Sequence, residues 1–319
     1  MRSLRARAMP PGALGFAALV SLYAGAACGF FMMEKKVSTM LFQGSRVQCT
    51  LKGACAVVRL FNPNQGLMDE AMESELLQVL DLLHDGVSWP AGRVVILTGR
   101  DPGVFVRHYD VAVLHQRAQA MAARGKAFSI DRPVPQGGVH RCIERIEASA
   151  LIFIAAINGV AMGGGFELAL ACDLRVVQDG PHELGLPELN LGLLPGAGGT
   201  QALARLLGVS ATLQLLLTAR VLSPRELVEL RLAGACVPDA LAQALAWADQ
   251  LQAVPARACA NIKRLVRSAG SWEIEQGRSA ERTLFCDCMV DPAALPLMAD
   301  VAQGERTIAQ PPQAARLQR

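Results

Sequence analysis

The sequence predicts an α/β core followed by a helical C-terminal part, and three observations predict it. Short β-branched or apolar runs of strand length (residues 93–98, 151–157 and 174–177) are separated by segments with helical apolar spacing. The second run ends in glycines and leads directly into a helical pattern. From residue 200 onward the spacing is helical throughout.

Taken in order, residues 8–33 carry no charge and are flanked by Arg2, Arg5 and Arg7 on one side and Glu34, Lys35 and Lys36 on the other. A run of about 20 apolar residues is long enough to cross a bilayer. Ala24-Gly25-Ala26 would suit a signal-peptidase site. Translation starting at Met32, Met33 or Met40 is the third reading, and the three stay open. Residues 46–60 are valine-rich and break at Asn62-Pro63-Asn64, which reads as one or two strands and a turn. Met68, Met72, Leu76, Leu77, Val79, Leu80 and Leu83 fall on one helical face ending near Gly86. The RVVILT run of residues 93–98 suits a fully buried strand. Residues 101–150 read as a charged loop, a helix over 111–124, a Pro/Gly segment over 133–138 and a helix to about residue 148, the place for a lid or pocket wall.

Residues 151–157 (LIFIAAI) read as a buried strand, Asn158-Gly159 as a turn, Gly163-Gly164-Gly165 as a triple glycine, and residues 166–172 as the start of a helix. A strand over 174–177 leads to an irregular Gly/Pro loop over 180–199. Helices follow over 203–207 and 211–217. A third is opened by Ser223-Pro224-Arg225-Glu226, a capping box with proline in the first turn. Helices near 239–253, 255–268 and 272–288 and a polar tail complete the chain. The division expected is an N-terminal hydrophobic extension (1–40), an α/β core (41–225), a helical region (226–303) and a polar tail (304–319).

Composition narrows the function. With 319 residues and 52% hydrophobic content the chain can bury a large core, and a net charge of +3 without a basic patch beyond the N-terminal arginines gives no footprint for nucleic acid. Nine cysteines, mostly within apolar runs, read as reduced core thiols in a reducing compartment. No HExxH or paired CxxC is present and Cys286-x-Cys288 lacks a second half, so no metal site is expected.

The chemistry concentrates at the triple glycine. A strand that feeds a helix through glycines leaves free N–H groups beside the helix's positive end, a place for negative charge. Gly163-Gly164-Gly165 does not match GxGxxG, and no GK[ST] follows it or Gly196-Ala197-Gly198-Gly199, which disfavours a nucleotide phosphate and leaves a developing oxyanion. Glu167 stands two residues beyond, in apolar surroundings; its plain role would be a first-turn carboxylate complementing the helix dipole. Glu188 follows Leu186-Pro187 in a second glycine-rich stretch, where its plain role would be a solvated loop carboxylate. Two isolated carboxylates beside two Gly-rich turns point together to an acid–base pair.

Residues 154–173 (IAAINGVAMGGGFELALACD) and 186–199 (LPELNLGLLPGAGG), with 93–99 followed by Phe105 and Asp110, resemble the crotonase superfamily, the enoyl-CoA hydratase/isomerase family, over residues 47–268. The resemblance implies a spiral of ββα units in two perpendicular sheets, a helical C-terminal trimerisation region and a homotrimer or hexamer. It implies an acyl-CoA substrate from fatty acid metabolism, with coenzyme A arriving as part of the substrate and no separate cofactor. It also implies an oxyanion hole from the backbone N–H groups of Gly164 and Tyr109, with His108, Asp110, Gly163 and Gly165 lining the substrate, and Glu167 and Glu188 as the two hydratase carboxylates. A cytoplasmic location is expected, with anchoring or targeting through residues 8–33 as the alternative.

The chain departs from the family pattern at His108-Tyr109-Asp110 (usually Gly, a small residue, Asp), at Leu151-Ile152 (usually Lys-Pro) and at Asn64-Gln65-Gly66-Leu67 (usually Asn-Ala-Leu). An aromatic ring at 109 would stand beside the thioester, where His108 or Tyr109 could donate a further proton or simply pack. Lys263 and Arg264 are candidates to meet the coenzyme's phosphates, and a solvated helix face is the preferred alternative. The expected activity is hydration of a 2-enoyl-CoA; the alternatives are an enoyl-CoA isomerase or other crotonase-type reaction, and a non-catalytic acyl-CoA-binding subunit.

Overall fold

Strands with both faces apolar need cover on both sides, and that requirement organises the molecule. The computed structural model describes residues 38–312. Strands β1 (Thr39–Gln43), β2 (Val47–Lys52) and β3 (Cys55–Leu60) form an antiparallel meander. Helix α1 (Glu70–His84) returns the chain to β4 (Val94–Gly99), which pairs parallel with β3. Asp69 caps α1 by accepting from Met72 N–H, and Glu75 on the same helix accepts from the N–H groups of Ser45, Arg46 and Val47, pinning the β1–β2 turn.

The chain continues through β5 (Gly103–Val106), α2 (Val111–Ala123), α3 (Gly138–Ala148), β6 (Ile152–Ile157), β7 (Gly159–Met162), α4 (Gly164–Ala171), β8 (Leu174–Gln178) and β9 (Leu184–Gly185). Then come α5 (Gly199–Leu207), α6 (Val209–Leu217), α7 (Pro224–Glu229), β10 (Ala235–Val237), α8 (Ala240–Gln252), α9 (Ala256–Ser268), α10 (Ile274–Met289) and α11 (Leu295–Ala302). A seven-stranded sheet has the order β1-β2-β3-β4-β6-β8-β10, parallel from β3 onward, and a three-stranded parallel sheet has the order β5-β7-β9. One face of the large sheet meets α1, α3 and α4 through Leu77, Leu80, Ile146, Phe153 and Leu168. On the other, Ala240, Ala244 and Ala248 of α8, one turn apart, lie against Val57, Ile96, Ile154 and Val176.

Most expected elements are present, and the capping box at Ser223 forms with reciprocal bonds to Glu226. The Asn158-Gly159 turn is corrected: Gly159 opens β7, and Asn158 accepts from Gly99 N–H at 2.9 Å while donating to Gly99 O and Asp101 O. A Cβ on Gly159 would lie 1.8 Å from Gly103 C, so this residue is glycine because two backbones meet there, not because the chain reverses. A second sheet is what the resemblance implies, whereas its strands (β5, β7, β9), β10 and α11 have no counterpart among the elements expected from local pattern. β10 and α8 extend the core beyond residue 225, because α8 covers one face of the large sheet. At the front, β1 begins at Thr39, just inside the expected extension.

Cys49, Cys142 and Cys172 are buried thiols that burial pushes up to about 12, as fits packing rather than reactivity. Among the described residues no helix is long and apolar enough to cross a membrane. The apolar stretch of residues 8–33 and the end of the tail, residues 313–319, lie outside the described residues.

Candidate active site

The site is built where β7 hands over to α4. Gly163 adopts φ +50°, ψ −129°, which side chains disfavour, and donates its N–H to Gly185 O at 3.0 Å. A Cβ on Gly165 would lie 2.1 Å from Val106 O, so glycine there lets α4 rest directly on the β5 backbone. Glu167 N–H makes the first turn's closing bond, to Gly163 O at 2.9 Å. The amides of Gly164, Gly165 and Phe166 therefore precede the helical ladder.

Across from them, Met68 pairs with the chain on both sides of Tyr109. Its N–H donates to His108 O and its O accepts from Asp110 N–H, each at 2.8 Å. In a parallel bridge this turns the N–H of Tyr109 itself to the opposite side of the strand. Met68 also borders the helix start, since a Cβ on Gly164 would lie 3.4 Å from its sulfur.

Glu167 is only 4% exposed. Its Oε1 accepts from Ala197 N–H at 2.7 Å and Gly199 N–H at 2.9 Å, both from the second glycine motif. Burial raises its pKa, while these two amides hold it back. Glu188 opens a short 3-10 turn (Glu188–Leu191), and its Oε2 is buried with no hydrogen-bond partner among the described residues. Its Oε1 lies 3.2 Å from the point a Cβ on Gly163 would occupy, and His108 Cβ lies 3.8 Å from that point. Burial first, and then the charge of Glu167, push Glu188 up to about 7. Neither glutamate fills the plain role open to it: Glu167 answers another loop's amides, and Glu188 turns a bare oxygen inward.

The flanking residues differ from expectation in detail. Asp110 caps α2 by accepting from Ala112 N–H at 2.9 Å. His108 Nδ1 bonds Tyr109 O at 2.8 Å. The Tyr109 hydroxyl is engaged by Arg117 at 3.3 Å and by Glu73, and burial together with Glu73 raises its pKa. That side chain is thus committed to the α1–α2 flank. Lys263 is neither a free cation nor on a solvated face. It is 7% exposed, and its Nζ bonds Asp173 Oδ2 at 2.8 Å and Ile146 O and Leu151 O at 2.9 Å. Arg267 joins it on Asp173 at 2.8 Å and donates to Ala171 O, so α9 clamps the C-terminal end of α4. Arg264 is exposed.

Sequence reasoning passed over His140, which bonds Gly196 O at 2.7 Å and so touches the loop that grips Glu167. A lone histidine in a helix gives no signal of that kind.

Comparison with known proteins places the chain in a family. Residues 50–291 match the family model for enoyl-CoA hydratase/isomerase. Among curated proteins, the fatty acid oxidation complex subunit alpha of Aliivibrio fischeri is 36% identical over 191 residues, 58% of this chain but 26% of that protein. The same-named subunit of Shewanella baltica is 37% identical over 165 residues, 51% of this chain and 22% of that protein. The chain therefore spans only about a quarter of these relatives' length. Among solved structures, an enoyl-CoA hydratase from Polaromonas sp. JS666 superposes with TM-score 0.71 at 28% identity, covering 84% of this chain and 99% of that one. A Thermobifida fusca YX structure in complex with acetoacetyl-CoA gives TM-score 0.64 at 29% identity, covering 77% and 96%. With its fold, its paired glycine motifs and these matches, the chain belongs to the enoyl-CoA hydratase/isomerase family and has the crotonase fold.

Proposed function

We propose that this protein is an enoyl-CoA hydratase that adds water across the double bond of a 2-enoyl-CoA. The observation that carries the reading is the pair of carboxyls around one turn: Glu167 tethered through one oxygen, Glu188 presenting a buried oxygen with no partner. A group so presented can hold a water, and one pushed up to about 7 can both give and take a proton near neutrality.

In this scheme the thioester oxygen lies between the amides of Gly164 and Tyr109, with His108, Asp110, Gly163 and Gly165 around it. Glu167 and Glu188 share one water. Its oxygen bonds to the β-carbon, one of its protons passes to a carboxylate, and a proton from the carboxyl pair reaches the α-carbon from the same side. The electron pair of the double bond is held meanwhile as an enolate on the thioester oxygen, where the amides stabilise it. The reaction is balanced, with water consumed and the glutamates returned to their starting state.

The relatives' name supports a fatty acyl group, and the complex with acetoacetyl-CoA supports a coenzyme A thioester. Helix α10 has no buried residue and leaves Ile274, Phe285 and Met289 exposed, which supports assembly through the C-terminal helices as a trimer or hexamer. Acyl-CoA chemistry supports a cytoplasmic location.

The test is turnover of crotonyl-CoA and longer 2-enoyl-CoAs, followed by loss of the conjugated thioester's ultraviolet absorbance, in wild type and Glu167→Gln. A fall of about 10²–10⁴-fold is expected for the variant. Turnover within a few-fold of wild type would sink the assignment. Gain of conjugation from a 3-enoyl-CoA with no hydration would mark an isomerase, and tight thioester binding without turnover a binding subunit.

A further inference from the structure

We infer that His140 is a positioning residue that sets the orientation of the Gly196–Ala197 peptide group and, through it, the carboxylate of Glu167. The inference rests on the hydratase reading and deepens it.

The geometry is a relay through one amide. Gly137 N–H donates to His140 Nδ1 at 3.2 Å, and a backbone N–H can only donate, so Nδ1 is the acceptor and the ring proton sits on Nε2. Nε2 then donates to Gly196 O at 2.7 Å. That oxygen and the Ala197 N–H belong to the same peptide group, and Ala197 N–H donates to Glu167 Oε1 at 2.7 Å. A donor on the oxygen of an amide fixes its plane and strengthens its N–H as a donor.

On its Gly196 side this peptide group has little else to hold it. Gly196 forms one end of the peptide group, and apart from its chain neighbours no atom of the described residues lies within 4 Å of where a side chain on it would start. Glycine at that end leaves ψ free, which eases rotation of the peptide plane. If the plane turned over, a carbonyl oxygen would face Glu167 Oε1 where the N–H now stands, and one of its two amide tethers would become a repulsion. Helix α3 carries His140, so the fixed point is a packed element anchored by buried Cys142 and Ile146.

The test separates the two bonds by reach. Gln places its amide nitrogen as many bonds from Cα as Nε2 lies, and so keeps a donor for Gly196. Asn reaches only as far as Nδ1 and keeps the bond to Gly137. In purified full-length protein, His140→Leu and His140→Asn are expected to lower kcat about tenfold with KM within about twofold, while His140→Gln stays within about threefold of wild type. Amide hydrogen exchange of residues 196–199, read by mass spectrometry, should quicken in the Leu and Asn variants and recover in Gln. Thermal melts check that each variant folds. Wild-type kcat in folded His140→Leu would overturn the inference. So would rescue by Asn equal to rescue by Gln, which would reduce His140 to a cap for α3. A wild-type enzyme inactive on every enoyl-CoA would refute the hydratase reading alone, because the exchange experiment still decides whether His140 holds the loop.

Discussion

Replacing Glu188 by Gln should harm catalysis and stabilise the fold, and the pH dependence of both effects can be worked from its surroundings. Burial and the charge of Glu167 push Glu188 from the ordinary 4.5 up to about 7. The folded protein therefore holds this proton more tightly than the unfolded chain. Stability linked to it is fully present below about pH 4.5 and is lost as pH rises through about 7, because in that window the folded state binds more protons than the unfolded state. Discounted for solvent screening at a half-buried side chain, the loss is on the order of 1 kcal/mol. Gln has the same shape and no charge to desolvate. Glu188→Gln should thus melt about 2 °C above wild type at pH 8 and gain less at pH 5. Its kcat for a 2-enoyl-CoA should fall by about 10²–10⁴-fold, and the limb of the pH–rate profile near 7 should disappear. Calorimetry at the two pH values and initial rates from pH 5 to 9 measure both. A melting difference that does not vary with pH, or kcat within a few-fold of wild type, would refute the reasoning.

Lys263→Met should cost roughly 3 kcal/mol, read as a lower denaturant midpoint, because it leaves Asp173, Ile146 O and Leu151 O short of a buried donor. Gly165→Ala should abolish activity, and should lower the yield of folded protein, since its methyl group would sit 2.1 Å from Val106 O, a backbone atom that cannot swing aside. Ser223→Ala should remove the cap of α7 and cost about 1 kcal/mol in thermal unfolding with kcat within about twofold, as the bonds of the capping box run to Glu226 and not to Glu167 or Glu188.

Much of this molecule was written in local pattern. The strands of residues 93–98 and 151–157 announce themselves because a strand buried on both faces must be apolar at nearly every position. The face of α1 and the cap at Ser223 are equally local, since helical period and capping act within a few residues. The two glycine motifs and their glutamates were legible for a related reason: glycine is required where a backbone passes close to another, as at Gly165, or takes a positive φ, as at Gly163 and Gly198, and an isolated carboxylate in apolar surroundings calls for a partner.

Tertiary structure alone decided the rest. Asn158-Gly159 has the chemistry of a turn, and only the approach of Gly103 on another strand makes it the start of β7. Lys263 falls in a helix of solvated appearance, and only Asp173, far away in sequence, justifies burying it. His140 carries no motif, and its place against Gly196 depends on how α3 packs across from the second glycine loop. Periodicity and glycine placement report what a residue needs from its neighbours in the chain, whereas a buried charge or a relay through a peptide group depends on partners that folding alone brings within about 3 Å.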